Sequence, residues 1–366
     1  MKILWITTVE LNYNGISDCM YQYLSAMDRS DMEIDLLAVK PSNPEYEQRF
    51  IDMGCRVFHL DCRNSNPPLY TIRLAKFIRK QQYDLVHVHG NSATMTFDLL
   101  GAKLGGCKVR IAHSHNTSCS HLTEDKLLRP LFYHLVTTRY ACGKAAGEWM
   151  YPGRDFTVIP NGRDLKRLAY SSELRTEFRK KWNLEDAFLI GQVGSFNDVK
   201  NQEFTVQVFE KIWKENPKAW LVFLGAGDRM ESVKAQCRSL GIAEQVIFLG
   251  NVSNVAEILN ALDLMMLPSR HEGLPLVVME WQASGLPCVL SDGITRECGL
   301  CDLVQYLPLE AGAQVWADVI ANTAIPERTN ACRIGQQALK EAGYDLEENA
   351  RELKEKYRRE VTKNGK

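Results

Sequence analysis

The chain has 366 residues, too many for one core of ordinary size and enough for two domains of about 150–200 residues each. Its 44 lysines and arginines stand against 45 aspartates and glutamates, a formal charge of -1, so no basic field marks nucleic acid as a partner and any anion site must be local. Eleven cysteines, including singletons such as Cys19 and Cys237, read as buried, reduced thiols rather than a disulfide framework. The pair Cys298-Gly-Leu-Cys301 has metal or redox spacing, but the nearest downstream cysteine is the lone Cys332, so no second ligand pair completes a structural zinc site.

In chain order, Met1-Lys-Ile-Leu-Trp-Ile-Thr-Thr opens with an apolar run too short for a signal-peptide core or a membrane span, which predicts a cytoplasmic protein. Strand-length apolar runs at residues 2–7, 33–39, 56–60, 84–89, 108–113 and 157–160 alternate with helical patterns at 16–27, 69–80 and 93–104. Helices of that length carry the chain back to a parallel strand, so the first third reads as a doubly wound α/β domain. A polar, basic stretch at 163–182 follows, and the alternation restarts with strands at 188–194, 220–225, 246–250, 264–267 and 287–291. Helix 201–216 puts Phe204, Val208, Phe209 and Ile212 on one face and stops before Pro217, which assigns it to packing. The expected layout is therefore two Rossmann-like domains, 1–165 and 166–345, with a ligand cleft where the carboxyl ends of their sheets face each other. Residues 346–366 read as an exposed amphipathic helix with sparse apolar positions (Leu346, Leu353, Tyr357, Val361), expected to pack back toward the first domain. Its basic end, which includes Lys354, Arg358 and Lys366, is interleaved with glutamates and favours a solvated face over a membrane anchor.

The segment Ser269-Arg-His-Glu-Gly-Leu-Pro-Leu-Val-Val-Met-Glu280 is the most informative. It reads as a strand end, a turn punctuated by Gly273, and a helix whose first turn holds Pro275. Glu272 lies on the loop and Glu280 inside the helix, while the amides of Leu276 and Val277 point at any anion placed between them. The loop Gly194-Ser-Phe-Asn-Asp-Val-Lys200-Asn201 also joins a strand to a helix, and a lysine there can reach a phosphate. Leu224-Gly-Ala-Gly-Asp lacks the third glycine of a dinucleotide fingerprint and is explained by a tight turn. Histidines at strand ends, His87 and His89, then His113 and His115, have the alternation that puts both members of a pair on one face. With no matching carboxylate cluster, the blander reading is a hydrogen-bonded core or rim. The chain contains no Asp-x-Asp, which argues against a metal-bridged diphosphate and leaves neutralisation to lysine, amides and a helix dipole. Hydrolase elbow, Walker A and zincin motifs are absent.

Taken in order, these segments resemble the retaining glycosyltransferases of family 4, which have the GT-B fold. Val158-Ile-Pro-Asn-Gly-Arg-Asp164 resembles the family's entry into the second domain, Gly194 to Lys200 its phosphate loop, and Glu272 to Glu280 with Ala283-Ser-Gly-Leu-Pro287 its E-x7-E motif and tail. The resemblance implies a nucleotide-sugar donor on the second domain, a UDP-sugar being commonest, and a glycan or lipid-linked acceptor on the first. Glu280 would bind the ribose hydroxyls, Glu272 the hydroxyls of the transferred sugar, and Lys200 with the amides of Leu276 and Val277 the leaving diphosphate. Gly15, Gly194, Ser195, Asn201, Gly250, Asn251, Gly273 and Leu274 would complete the donor contacts. His115 best matches the active-site histidine near the reacting carbon, with His113 as its rival; His89, His113 and Asn116 are acceptor-side candidates. Ser195 stands where the family usually has an arginine, so one expected cation is missing, with Arg270 or Arg296 as substitutes.

The expected activity is a retaining, metal-independent transfer in cell-surface polysaccharide synthesis, with no cofactor and with peripheral contact to the inner membrane face left open. The alternatives are a nucleotide-sugar 2-epimerase of the same layout, which needs first-domain acid and base carboxylates, and a non-catalytic sugar-binding protein.

Overall fold

The computed structural model describes residues 1–365. The chain forms two compact units, one built from Met1–Gly162 together with the chain from Tyr344 onward, the other from Arg163–Gly343.

The first unit carries β1 (Lys2–Thr7), β2 (Glu33–Ala38), β3 (Val57–His59), β4 (Leu85–Gly90), β5 (Val109–Ser114), β6 (Thr138–Ala141) and β7 (Thr157–Val158) in one parallel sheet of order β3-β2-β1-β4-β5-β6-β7. The near-continuous burial of β1, β4 and β5 fits a sheet covered on both faces. Strand order reverses between β1 and β4, which opens a crevice at their carboxyl ends. Strand β6 escapes the sequence reading because Thr-Arg-Tyr-Ala is four residues long and interrupted by a cation. Helix Leu122–Leu135 escapes it because Pro130 lies inside. The expected helix at 93–104 begins as a 3-10 turn, Ala93–Met95, and continues as Thr96–Leu104.

The second unit repeats the plan with β8 (Phe188–Val193), β9 (Ala219–Leu224), β10 (Val246–Phe248), β11 (Leu264–Leu267), β12 (Cys288–Ser291) and β13 (Val304–Leu307), ordered β10-β9-β8-β11-β12-β13. Its reversal falls between β8 and β11. The basic stretch at 163–182 is not a plain connection: Ser171 caps helix Ser172–Lys181 by accepting from the Leu174 amide at 3.2 Å. Two of its arginines, Arg175 and Arg179, clamp Asp263 at the start of β11, the second at 2.6 Å. Positive charge that reads as surface in the sequence here fixes a helix to the sheet.

Helix Leu346–Gly365 packs back onto the first unit, as expected, but is seated more deeply than an exposed helix. Leu346, Ala350, Leu353 and Tyr357 recur at helical spacing and are all buried, in one cluster with Trp5, Tyr23 and Ile111. Burial of each large side chain contributes about 1.5–3 kcal/mol, which makes this helix part of the first unit's core. Two of its basic residues are tied to the first unit: Lys354 reaches Asp28 at 2.8 Å and Asp31 at 2.9 Å, and Arg358 reaches Asp31 at 2.7 Å. Lys366 lies outside the described residues. Among those residues, no helix is long and apolar enough to cross a membrane. All eleven cysteines are free thiols, seven of them buried.

Candidate functional site

Two groups of predicted residues take shape, one at each sheet's switch point. In the second unit, the loop after β8 carries Lys200 and the loop after β11 carries Glu272. Lys200 Nζ lies 2.6 Å from Glu272 Oε1, and Ser269 Oγ donates to the same oxygen at 2.9 Å. The two loops are zipped together by the Arg270 amide donating to Val199 O at 2.8 Å, the Arg270 guanidinium to Asp198 O at 3.1 Å, and Asn201 Nδ2 to Pro268 O at 3.1 Å. Beneath them, Gln192 Nε2 donates to Lys200 O at 2.8 Å while its Oε1 accepts from Thr205 Oγ1 at 2.6 Å. The lysine is thus delivered by a buried polar network that the sequence reading did not identify.

Two glycines of this region, Gly225 and Gly227, are required by close approach. A Cβ on Gly225 would lie 2.2 Å from Gly194 O, and the φ of +129° at Gly225 is itself in the glycine-favouring region. The turn Gly225-Ala-Gly227 therefore presses against the phosphate-type loop, and Gly250 O accepts from the Gly225 amide at 2.8 Å. Ser195, at the start of that loop, is exposed, as are Gly273 and Asn251 elsewhere; Leu274 is half-buried.

Pro275 precedes helix Leu276–Ala283 and provides no side-chain cap, so the first-turn amides of Leu276 and Val277 have no carbonyl one turn back to bond. Glu280 projects from this helix, 3.2 Å from Arg163 Nε, and Arg163 is buried. Arg163 is the site residue that sequence reasoning did not single out, although Asn161-Gly-Arg163 lies within the segment it quoted. Of the two proposed stand-ins for the missing arginine, Arg270 belongs to the zipped loops, whereas Arg296 stacks on Tyr306, 3.9 Å from its ring centre.

In the first unit, Gly15 opens helix Gly15–Ala26, capped by Asn14. A Cβ there would touch nothing within 4 Å, so the structure itself does not demand glycine at this position. His89 on β4 is in register with His113 on β5, and His115 follows just past the strand end. His89 Nδ1 and His115 Nε2 are 3.0 Å apart, and His87 Nδ1 hydrogen-bonds Tyr357 Oη at 2.6 Å. Burial, reinforced by neighbouring imidazoles, holds His87, His89 and His113 well below the ordinary histidine pKa; burial lowers His115 to about 3. All four are neutral at pH 7. His89 and His113 are 2% and 1% exposed, so their rings face other side chains, and half-buried His115 with exposed Asn116 are the members of this group open to a ligand.

The chain's similarities agree with this arrangement. The model for Glycosyltransferase Family 4 matches residues 13–167, and the model for Glycosyl transferases group 1 matches residues 175–304. EpsF of Bacillus subtilis, named as a glycosyltransferase, is 30% identical over 355 residues, covering 93% of this chain and 92% of its own. The UDP-Gal:alpha-D-GlcNAc-diphosphoundecaprenol alpha-1,3-galactosyltransferase of Escherichia coli is 27% identical over 305 residues, 78% of each chain. Among solved structures, HepE of Anabaena in complex with UDP superposes with a TM-score of 0.78 at 17% identity, over 97% of this chain and 99% of that one. Two Rossmann-like units, the matching family models and the EpsF similarity together establish that the chain belongs to the group 1 glycosyltransferases, with the GT-B fold.

Proposed function

We propose that the chain transfers a hexosyl group from a UDP-sugar to a hydroxyl of a glycan or lipid-linked acceptor, with retention of anomeric configuration, in the synthesis of a cell-surface polysaccharide. The observation that carries this reading is the Lys200–Glu272 pair at the β8/β11 switch point, beside a helix start. A cation on the loop after β8 and two first-turn amides at the helix start after β11 are the groups available to a diphosphate at this switch point, and a carboxylate stands beside the cation for sugar hydroxyls. Glu280, held by Arg163, supplies a fixed acceptor for ribose hydroxyls.

In the reaction, the bond from the anomeric carbon to the diphosphate oxygen breaks, and its electron pair leaves with the diphosphate. Lys200 and the amides of Leu276 and Val277 take up that growing charge; a single donor so placed is worth about 3–4 kcal/mol in the transition state. The acceptor oxygen attacks from the face the diphosphate leaves, and its proton passes to a leaving-group oxygen. Absence of Asp-x-Asp supports a diphosphate neutralised by these groups. UDP as carrier is supported by the galactosyltransferase relative and by the UDP held in HepE. The acceptor class rests on the diphosphoundecaprenol substrate in that relative's name. Incubating the chain with UDP-hexoses and lipid-diphosphate acceptors, then reading the anomeric proton coupling of the product, tests the proposal: an α-linked product from an α-donor is expected, and a β-linked product overturns retention.

A further inference from the structure

The histidines of the first unit form more than a packing layer. Imidazoles of His87 and His89 stack at 4.1 Å between ring centres, and His113 lies 5.3 Å from the first and 5.4 Å from the second. Four of their ring nitrogens, His87 Nε2, His89 Nε2 and both nitrogens of His113, are buried without a hydrogen-bond partner among the described residues. One such atom needs an explanation; four in one pocket point to a shared ligand. One nitrogen from each ring falls within 4.8 Å of the other two.

We propose that His87, His89 and His113 bind a single divalent transition-metal ion of the zinc class. Three neutral imidazoles are a donor set that such ions favour and that magnesium and calcium do not. A tetrahedral ion with metal–nitrogen bonds of about 2.0–2.1 Å sets its ligand nitrogens about 3.4 Å apart, so the rings close inward on loading. The outer partners are already present. Metal-ligating histidines usually hydrogen-bond through the other ring nitrogen, and His87 Nδ1 meets Tyr357 Oη while His89 Nδ1 meets His115 Nε2. With metal on its Nε2, His89 carries its proton on Nδ1 and donates it to His115 Nε2, which leaves the His115 proton on Nδ1. The ion therefore fixes the tautomer of the one half-buried histidine in the group, and through Tyr357 it ties β4 to helix Leu346–Gly365. The site belongs to the first unit alone and takes no part in neutralising a diphosphate.

The test is metal analysis of the tag-free, full-length protein, with zinc and cobalt(II) as probes. One zinc per chain surviving dialysis, and a visible d–d band on cobalt loading, are expected in the wild type and in His59→Ala, whose exposed ring pairs with Glu47 outside the cluster. His113→Ala should lose both signals. Zinc held substoichiometrically and to the same extent in wild type and His113→Ala would overturn the site. Should His113→Ala fail to fold, X-ray absorption on the cobalt-loaded wild type decides: three or more imidazole ligands support the proposal, and fewer overturn it.

Discussion

Lys200 Nζ and Glu272 Oε1 meet at 2.6 Å, and this single ion pair joins the loop after β8 to the loop after β11. Both side chains are mostly buried, 17% and 16% exposed, so each is held ready by the other. A bound diphosphate would draw the ammonium toward its own oxygens and release Glu272 to a sugar hydroxyl. Lys200→Ala should therefore cost about 10²–10³ in kcat, as for loss of one oxyanion donor. Glu272→Gln should abolish transfer while leaving UDP affinity largely intact. Steady-state kinetics beside calorimetry separates the two, and unchanged turnover in either variant would remove that residue from the mechanism.

Ser195 sits exposed at the start of the loop that delivers Lys200. If the loop cradles a diphosphate, Ser195→Arg adds a charge-assisted donor worth about 1.5–3 kcal/mol, a gain of about tenfold or more in UDP affinity. That gain should shrink with added salt. An affinity unchanged at low salt would place the diphosphate elsewhere.

The closing helix makes a stability prediction. Leu353 is 2% exposed in the core shared with Trp5 and Ile111, so Leu353→Ala should destabilise the first unit by about 2–5 kcal/mol in denaturant unfolding. A change below about 0.5 kcal/mol would return this helix to the status of a surface element.

Acid should loosen the same helix. The Lys354 ammonium, and then Ser30, lower the Asp28 carboxyl to about 2, while Arg358 and then Lys354 hold Asp31 well below the usual carboxylate range. A carboxyl with a depressed folded pKa adds stability that is complete above its unfolded value near 3.9 and lost as pH falls toward about 2. Thermal unfolding followed from pH 5 to pH 2 should show this loss in the wild type and less of it in Lys354→Met. Both aspartates are exposed, so added salt should shrink the difference.

Much of this architecture is legible in the sequence because buried parallel strands are written as short unbroken apolar runs. The runs at 2–7 and 264–267 coincide with β1 and β11, and that at 188–194 overruns β8 by one residue. What escapes has weak local signals: β6 is short and cationic, and helix Leu122–Leu135 contains a proline. The depth of the closing helix is not legible, because four buried apolar positions in twenty residues look sparse until the first unit supplies the surface they cover. At the site, Glu272, Glu280 and Lys200 stand out by spacing, whereas Arg163 and Gln192 do not. Their roles depend on partners 117 and 13 residues away, Glu280 and Thr205, which only the fold brings near. The histidines were visible as pairs, but nothing in one strand reveals that the neighbouring strand lays its own pair alongside.

The most direct measurement is calorimetric titration of UDP, with GDP and ADP as controls, into the full-length chain and its Glu280→Ala variant in the presence of EDTA. The account predicts that UDP binds the wild type without added metal and that the variant loses at least tenfold in affinity. Equal affinity in the two proteins, or no binding of any nucleotide, would contradict a donor site built from Glu280, Glu272 and Lys200.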